Sequence, residues 1–120
     1  ELLFMRRRQA LGQWGERVAA WWLAGHGYTI VGRNYRCRGG EVDIIARQAG
    51  QLAFFEVKTR RTVEFGYPEE AFGRLKQHRF QKAVDHYLAS RAPNASVWQI
   101  GLVAITKTAA GGALVRLIWY

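Results

Sequence analysis

Apolar residues recur along the chain with a helical period in two segments. Between Leu11 and Gly25 they return every three or four residues, which predicts a first helix. Its predicted buried stripe is Leu11, Trp14, Val18, Trp21 and Trp22, and its second apolar flank is Ala19, Ala20 and Leu23. Proline and acids favour a helix start, so a second helix is predicted to open at Pro68-Glu69-Glu70. Its predicted buried stripe is Phe72, Leu75, Phe80, Ala83, Val84, Tyr87 and Leu88.

Five shorter segments are rich in β-branched and aromatic residues and predict strands. They span residues 28–36, 41–47, 52–60, 97–105 and 113–119. The first three follow one another through short turns, and the second helix can cross over to bring the fourth beside them. The sequence therefore predicts an α/β fold, a mixed β-sheet flanked by helices in the order αβββαββ. We expect a single domain over residues 1–120, with residues 1–8, including the run Arg6-Arg7-Arg8, as a flexible end.

The second and third strands form the predicted hairpin on which the rest of the fold is arranged. Gln48-Ala49-Gly50-Gln51 is the turn between them. Side chains alternate along a strand, so Glu41, Asp43 and Ile45 are expected on one face of the first strand of the hairpin. Phe54, Glu56, Lys58 and Arg60 are expected on one face of the second. A two-residue turn then sets Asp43 opposite Glu56 and Glu41 opposite Lys58, with Cβ atoms roughly 5 Å apart.

Two carboxylates opposed across a hairpin repel each other and need compensation. One interpretation is a solvated face with incidental ion pairs. The other is a divalent cation site, favoured because three of only nine acidic residues fall on this hairpin and apolar neighbours flank it on both sides. Asp43 and Glu56 would hold Mg2+ or Mn2+, and Lys58 would orient or deprotonate an attacking water. This arrangement suits metal-assisted phosphodiester hydrolysis.

The charge balance points to a polyanionic partner. The chain carries 18 Lys and Arg against nine acids, a net charge of +9, which favours nucleic acid over an anionic membrane surface. Arg33, Arg36 and Arg38 precede the acidic hairpin and suit phosphate contacts, although a plain basic loop explains them nearly as well. The single cysteine excludes an internal disulfide and fits a cytoplasmic protein.

Glu16 lies on the second flank of the first helix. It is either a charge at the helix edge or a further carboxylate directed at the hairpin.

The motifs Gly39-Gly40-Glu41-Val42-Asp43 and Phe55-Glu56-Val57-Lys58-Thr59-Arg60 resemble those of the YraN-like family of predicted endonucleases, the uncharacterised protein family 0102. The resemblance extends to Gly15-Glu16, Gly27-Tyr28, Arg33-Asn34-Tyr35-Arg36, Phe65-Gly66, and Lys76 with Arg79. It implies a restriction-endonuclease-like PD-(D/E)xK core, similar to archaeal Holliday-junction resolvases. By resemblance, Asp43 and Glu56 are metal ligands, Lys58 is the catalytic lysine and Glu16 is the acid of the first helix.

Two functions therefore stand as hypotheses. The first is a Mg2+- or Mn2+-dependent nuclease acting on DNA, branched or structured DNA included. The Val57 carbonyl would be a third ligand, and Glu41 or Glu16 would reach a second ion or a bound water. The nucleic acid would contact the arginines above together with Arg60, Lys76 and Arg79. A homodimer would supply the two sites needed to cut both strands.

The second hypothesis is a nucleic-acid-binding module that keeps the fold without turnover. It is favoured by Gln99-Ile100-Gly101, where the family usually carries Arg-Phe-Asp.

Overall fold

The helices and strands follow the predicted order. A computed structural model of the chain describes residues 2–61 and 73–120. Its elements are α1 (Leu2–Gly25), β1 (Thr29–Cys37), β2 (Gly40–Gln48), β3 (Gln51–Arg60), α2 (Arg74–Arg91), β4 (Trp98–Lys107) and β5 (Ala113–Trp119). The αβββαββ order is confirmed. Residues 2–8 belong to α1, where a flexible end had been expected, and the helix start predicted at residues 68–70 lies outside the described residues.

The five strands form one mixed sheet in the order β1-β2-β3-β4-β5. β4 pairs in parallel with β3 after the crossover through α2, and the other neighbours are antiparallel. The predicted register of the β2–β3 hairpin is confirmed from Gln48↔Gln51 to Ile44↔Phe55. At the turn Ala49 and Gly50 both have positive φ, 52° and 78°, the signature of a two-residue turn that matches the twist of a hairpin.

The hairpin is buried on both faces, as its sequence predicted, because a helix covers each side. On the α2 side lie Val42, Ile45, Leu52, Phe54, Phe80 and Val84, and on the α1 side lie Ala19, Leu23, Ile44, Ala53, Phe55 and Val57. The alternation predicted for β3 is therefore confirmed. Hydrophobic burial on both sides makes β2 and β3 part of the core of the protein.

The alternation predicted for β2 is wrong at one point. Val42 and Ile45 are three residues apart, yet both pack into the core on the α2 side. The irregularity lies at Asp43, and on the neighbouring strand Asn34 has a positive φ of 52° between the pairs Arg33↔Ile44 and Tyr35↔Val42. Glu41, Asp43 and Ile45 therefore do not share one regular face, because the alternation of β2 side chains is interrupted between Val42 and Ile44.

The helices bury narrower surfaces than predicted. Trp21 and Leu75 were assigned to buried stripes, but their exposed fractions are 76% and 73%. α1 buries Gly15, Ala19 and Leu23 instead, a line of mostly small side chains that lets the helix axis approach the sheet closely. No helix in the described part of the chain is both long and apolar enough to cross a membrane.

Two glycines allow this close approach. A methyl group on Gly15 of α1 would overlap the Oγ1 atom of Thr59 at the end of β3. A methyl group on Gly40 of β2 would lie 2.6 Å from the carbonyl oxygen of Arg79 and 2.8 Å from the backbone nitrogen of Ala83, both on α2. Because glycine has no side chain at these two positions, both helices can pack closely against the hairpin.

This packing predicts opposite effects of one substitution at two positions of α1. Nothing lies within 4 Å of a methyl group on Gly12, so Gly12→Ala should stabilise the protein by up to ~1 kcal/mol through helix propensity alone. Gly15→Ala gains the same propensity but collides with Thr59, so we expect a net loss of ~1–3 kcal/mol. Urea unfolding followed by tryptophan fluorescence measures both, and equal effects would contradict the close contact of α1 with β3.

Candidate functional site

The site lies where β2 and β3 stop pairing. Their ladder ends at Ile44↔Phe55, and the next residue in that register on each strand is an acid, Asp43 and Glu56. In place of a further backbone pair, the Val57 N–H donates a hydrogen bond of 2.8 Å to Oδ2 of Asp43. The side chain of Asp43 thereby bridges the two strands as they diverge and fixes its own carboxylate in the opening.

The opening is a cleft of about 310 Å³ that collects residues from both helices and both strands. Among the described residues, the buried charged side chains are Asp43 and Glu56, with exposed fractions of 7% and 6%. The structure therefore brings together the two carboxylates that the hairpin register predicted. The residues lining the cleft are Glu16, Glu41, Asp43, Glu56, Val57, Lys76 and Arg79.

Glu16 reaches this cleft because α1 packs on its second flank. Of the two roles left open by the sequence, the structure places Glu16 beside the hairpin acids and not at a remote helix edge. Burial raises the pKa of Glu16, and the nearby carboxylates of Glu41 and Glu56 raise it further, against the opposing charges of Arg33 and Arg36.

The pKa of Asp43 is far above its ordinary value of 3.8. Burial is the first cause and the charge of Glu56 the second, and together they raise the pKa of Asp43 to about 8, although the Val57 hydrogen bond acts in the opposite direction. A carboxyl group held in this way takes up a proton or a cation readily near neutral pH.

Lys76 supplies a positive charge inside the cleft. Its Nζ lies 2.8 Å from Oε1 of Glu56, and its side chain is 42% exposed. Burial acts to lower the pKa of Lys76, but the hydrogen bond and charge of Glu56 outweigh it, so the pKa is raised. The sequence assigned Lys76 to nucleic-acid contact and gave no signal for this ion pair, because the pair joins α2 to β3 across the crossover.

Lys58 lies beside the cleft and does not line it. It borders an adjoining cavity of about 170 Å³ together with Arg8, Leu11 and Glu16. Burial lowers the pKa of Lys58, and the nearby ammonium of Lys76 lowers it further. A lysine with a lowered pKa gives up its proton more easily than an exposed one, which is a property of general bases.

The predicted Glu41–Lys58 pair does not form in the ladder, because β2 and β3 separate before reaching it. Glu41 pairs with β1 instead, opposite Arg36, and its Oε2 lies 3.5 Å from the Arg36 Nε. Both partners are substantially exposed, so this contact contributes little to stability.

The cations predicted to contact nucleic acid fall into three groups. Lys76 and Arg79 line the cleft itself. Arg33, Arg36 and Arg38 are exposed on β1 and its following turn, where Arg33 and Arg36 are close enough to act on Glu16. Arg60 lies on the other side, in a cavity beyond Lys58. Arginines therefore flank the carboxylates on two sides.

The donor chemistry of the cleft fits a hard divalent cation. Mg2+ and Mn2+ bind carboxylate and carbonyl oxygens, and Asp43 and Glu56 each have a second oxygen that the Val57 and Lys76 contacts do not use. Within residues 2–61 and 73–120, no three His, Cys, Asp or Glu side chains meet as a metal site by themselves. Two carboxylates completed by a backbone carbonyl or water remain the arrangement to test.

A side chain at position 101 would lie on the face of the sheet opposite to that of Glu56. Gly101 pairs with Phe55, whose side chain faces α1, whereas Glu56 on the opposite face contacts α2. A methyl group on Gly101 would lie 3.0 Å from Trp119 Cε3 and 3.2 Å from Phe55 Cδ1. An aspartate there would meet aromatic rings, so glycine at this position matches the packing of this chain and removes no carboxylate from the cleft.

Residues 15–105 match the uncharacterised protein family UPF0102. The chain belongs to this family. A UPF0102 protein of Beutenbergia cavernae is 44% identical over 112 residues, covering 93% of this chain and 95% of the relative. One of Roseiflexus castenholzii is 43% identical, covering 83% and 82%, and one of Syntrophotalea carbinolica is 48% identical, covering 71% and 69%. The matched segment contains all four acids of the cleft together with Lys58 and Lys76.

The raised pKa of Asp43 predicts a pH-dependent stability in the absence of metal. The unfolded chain loses this proton near the ordinary value of 3.8 and the folded chain near 8, so between these values the folded state holds more protons. The contribution of Asp43 to the free energy of unfolding is fully present below pH 3.8. It falls as the pH rises from 3.8 to about 8, by at most ~1.4 kcal/mol per pH unit. Asp43→Asn should not lose stability in this way as the pH rises, and it should be more stable than the wild type at pH 7.

Urea unfolding in EDTA at several pH values tests this. Asp85→Asn, which changes an exposed acid on α2, is the control and should keep the pH dependence of the wild type. Parallel curves for wild type and Asp43→Asn would mean that Asp43 is already ionised in the folded protein.

Proposed function

We propose that the protein is a metal-dependent nuclease of the PD-(D/E)xK class that hydrolyses phosphodiester bonds in DNA, branched or structured DNA included. The observation that carries the proposal is the pair of buried carboxylates, Asp43 and Glu56, that share a cleft in a chain of net charge +9. Burying two acids side by side is costly unless a cation compensates them. A basic protein that bears such a pair has the chemistry to hold a cation and a phosphate together.

Residues in the cleft and beside it have distinct roles in this proposal. Asp43 and Glu56, with the Val57 carbonyl, would hold Mg2+ or Mn2+. When bound, the ion supplies charge neutralisation at the phosphate and acidification of water. Lys58, whose pKa is lowered, accepts a proton from the attacking water or orients it. Arg79 at the cleft and Arg33 and Arg36 beside it bind phosphate oxygens of the substrate.

The ion pair of Lys76 with Glu56 favours the second candidate function, a nucleic-acid-binding module without turnover. An ammonium 2.8 Å from Glu56 already compensates one of the two carboxylates. Protonation of Asp43, whose pKa is about 8, would compensate the other at neutral pH. In such a module the acids are structural, and affinity for nucleic acid comes from the surrounding arginines alone.

Thermal unfolding with and without metal separates the two functions. For the nuclease, millimolar Mn2+ should raise the melting temperature of the wild type, because the ion binds the folded state and not the unfolded chain. Asp43→Asn should show no such rise. A binding module should show none in either protein, and no rise in the wild type, even with DNA present, would contradict the proposed nuclease.

Cleavage assays on linear, flapped and four-way DNA with Mg2+ or Mn2+ then identify the substrate. Lys58→Ala should abolish hydrolysis while keeping the Mn2+-dependent rise in melting temperature, since Lys58 lies outside the carboxylate cleft. Cleavage by Asp43→Asn at the rate of the wild type would indicate a contaminating nuclease or a different site.

Lys76 and the metal compete for Glu56, which yields a further prediction. Lys76→Gln removes the ammonium but keeps a side chain of similar length that can still hydrogen-bond. We therefore expect it to bind Mn2+ more tightly than the wild type, measured by calorimetric titration. Lys82→Gln is the control, because it removes an equal charge from an exposed position of α2 that does not line the cleft. Weaker Mn2+ binding by Lys76→Gln than by this control would mean that Lys76 does not compete with the ion.

A further inference from the structure

The carboxylate cleft continues into a groove between α1 and the end of β3. Glu16 and Val57 line both the cleft and the adjoining cavity of about 170 Å³. That cavity shares Arg8, Leu11, Lys58 and Thr59 with a third cavity of about 500 Å³. These shared residues place the three cavities next to one another, from the buried acids to the first turns of α1. We call the part beyond Lys58 the α1 groove.

The charge of the α1 groove is opposite to that of the cleft. Its charged lining residues in the described part of the chain are all cations: Arg7, Arg8, Lys58, Arg60 and Arg61. Arg60 has a buried Nε with no hydrogen-bond partner among the described residues. Guanidinium and ammonium groups gathered along one groove can neutralise the charges of successive phosphates. The groove is thus suited to a chain of phosphates.

The groove also presents an aromatic ring to solvent. Phe4 lines it, is 63% exposed, and has the guanidinium of Arg8 5.9 Å from its ring centroid. Leu11 continues this apolar side along α1. An exposed aromatic ring among arginines is the arrangement that binds unpaired bases, which stack on the ring while their phosphates contact the cations. In a duplex the base faces are stacked on one another and cannot reach such a ring.

We infer that the α1 groove binds an unpaired DNA strand as it leaves the carboxylate cleft, with phosphates on Arg7, Arg8 and Arg60 and a base stacked on Phe4. The inference rests on the proposed function for the choice of DNA and extends it by naming the substrate as one with a single-stranded segment beside the scissile bond. Arginines on the β1 side of the cleft would then contact the other part of the substrate.

Fluorescence anisotropy with a labelled oligothymidylate of about twelve nucleotides tests the groove. Measurements in EDTA keep binding separate from hydrolysis. Arg7→Ala/Arg8→Ala should weaken binding about tenfold or more and reduce the salt dependence by about 0.7 log units per lost phosphate contact. The matched control Arg6→Ala/Arg17→Ala removes the same charge from exposed positions of the same helix that do not line the groove, and its loss should be markedly smaller.

Phe4→Ala tests the stacking. It should weaken binding of the oligonucleotide about fivefold or more with an unchanged salt slope, because stacking releases no counterions. Its affinity for a duplex of the same length should stay that of the wild type. Alanine is compatible with the helix at each of these exposed positions, so melting temperatures should match the wild type in all variants.

The inference holds only if the Arg7/Arg8 variant loses more than its control and Phe4→Ala acts on the unpaired strand alone; any other result overturns it. Failure of the proposed function gives a different result. If metal-dependent hydrolysis is absent but both binding differences are observed, the proposed nuclease function is wrong and the inferred binding of unpaired DNA in the α1 groove is supported. If the wild type hydrolyses DNA but the two double variants lose equal binding affinity, the inferred binding in the α1 groove is wrong and the proposed nuclease function is supported.

Discussion

The hydrogen bond from the Val57 N–H to Asp43 Oδ2 is the contact on which the site depends. It occurs where the β2–β3 ladder ends and substitutes a carboxylate for the backbone acceptor that a further pair would supply. A sheet that simply continued would have closed the space between the two acids. Because the strands separate there, Asp43 and Glu56 face a cleft that two helices can reach, and the separation is stabilised by one of the acids that the cleft contains.

Charge and packing around the cleft act against each other. Apolar residues on both faces of the hairpin hold the two acids out of water, and this burial is the main reason why the pKa of Asp43 rises. Lys76 from α2 offsets the charge of Glu56, and the glycines at 15 and 40 let both helices come close enough to enclose the site. The fold therefore keeps a pair of acids buried through contacts that come from four separate elements.

The parts that could be predicted from the sequence are those set by local pattern. Element order, the hairpin turn and its register follow from periodicity and from Ala49-Gly50, so the approach of Asp43 to Glu56 could be predicted. The irregularity at Asp43, the exposure of Trp21 and the Lys76–Glu56 pair could not, because each depends on how distant elements meet. Small residues at 15 and 19 gave a signal for the true packing face of α1, but the larger tryptophans dominated the hydrophobic pattern.

The crossover between β3 and β4 also bears on the order in which the site assembles. β1, β2 and β3 are joined by short turns, so their contacts span little sequence and need little loop-closure entropy. The parallel pairing of β4 with β3 must wait for α2 to traverse the sheet. During synthesis, Asp43 and Glu56 leave the ribosome before Lys76, the lysine that pairs with Glu56. The ion pair between Lys76 and Glu56 can therefore form only once α2 has been synthesised and has packed on the sheet.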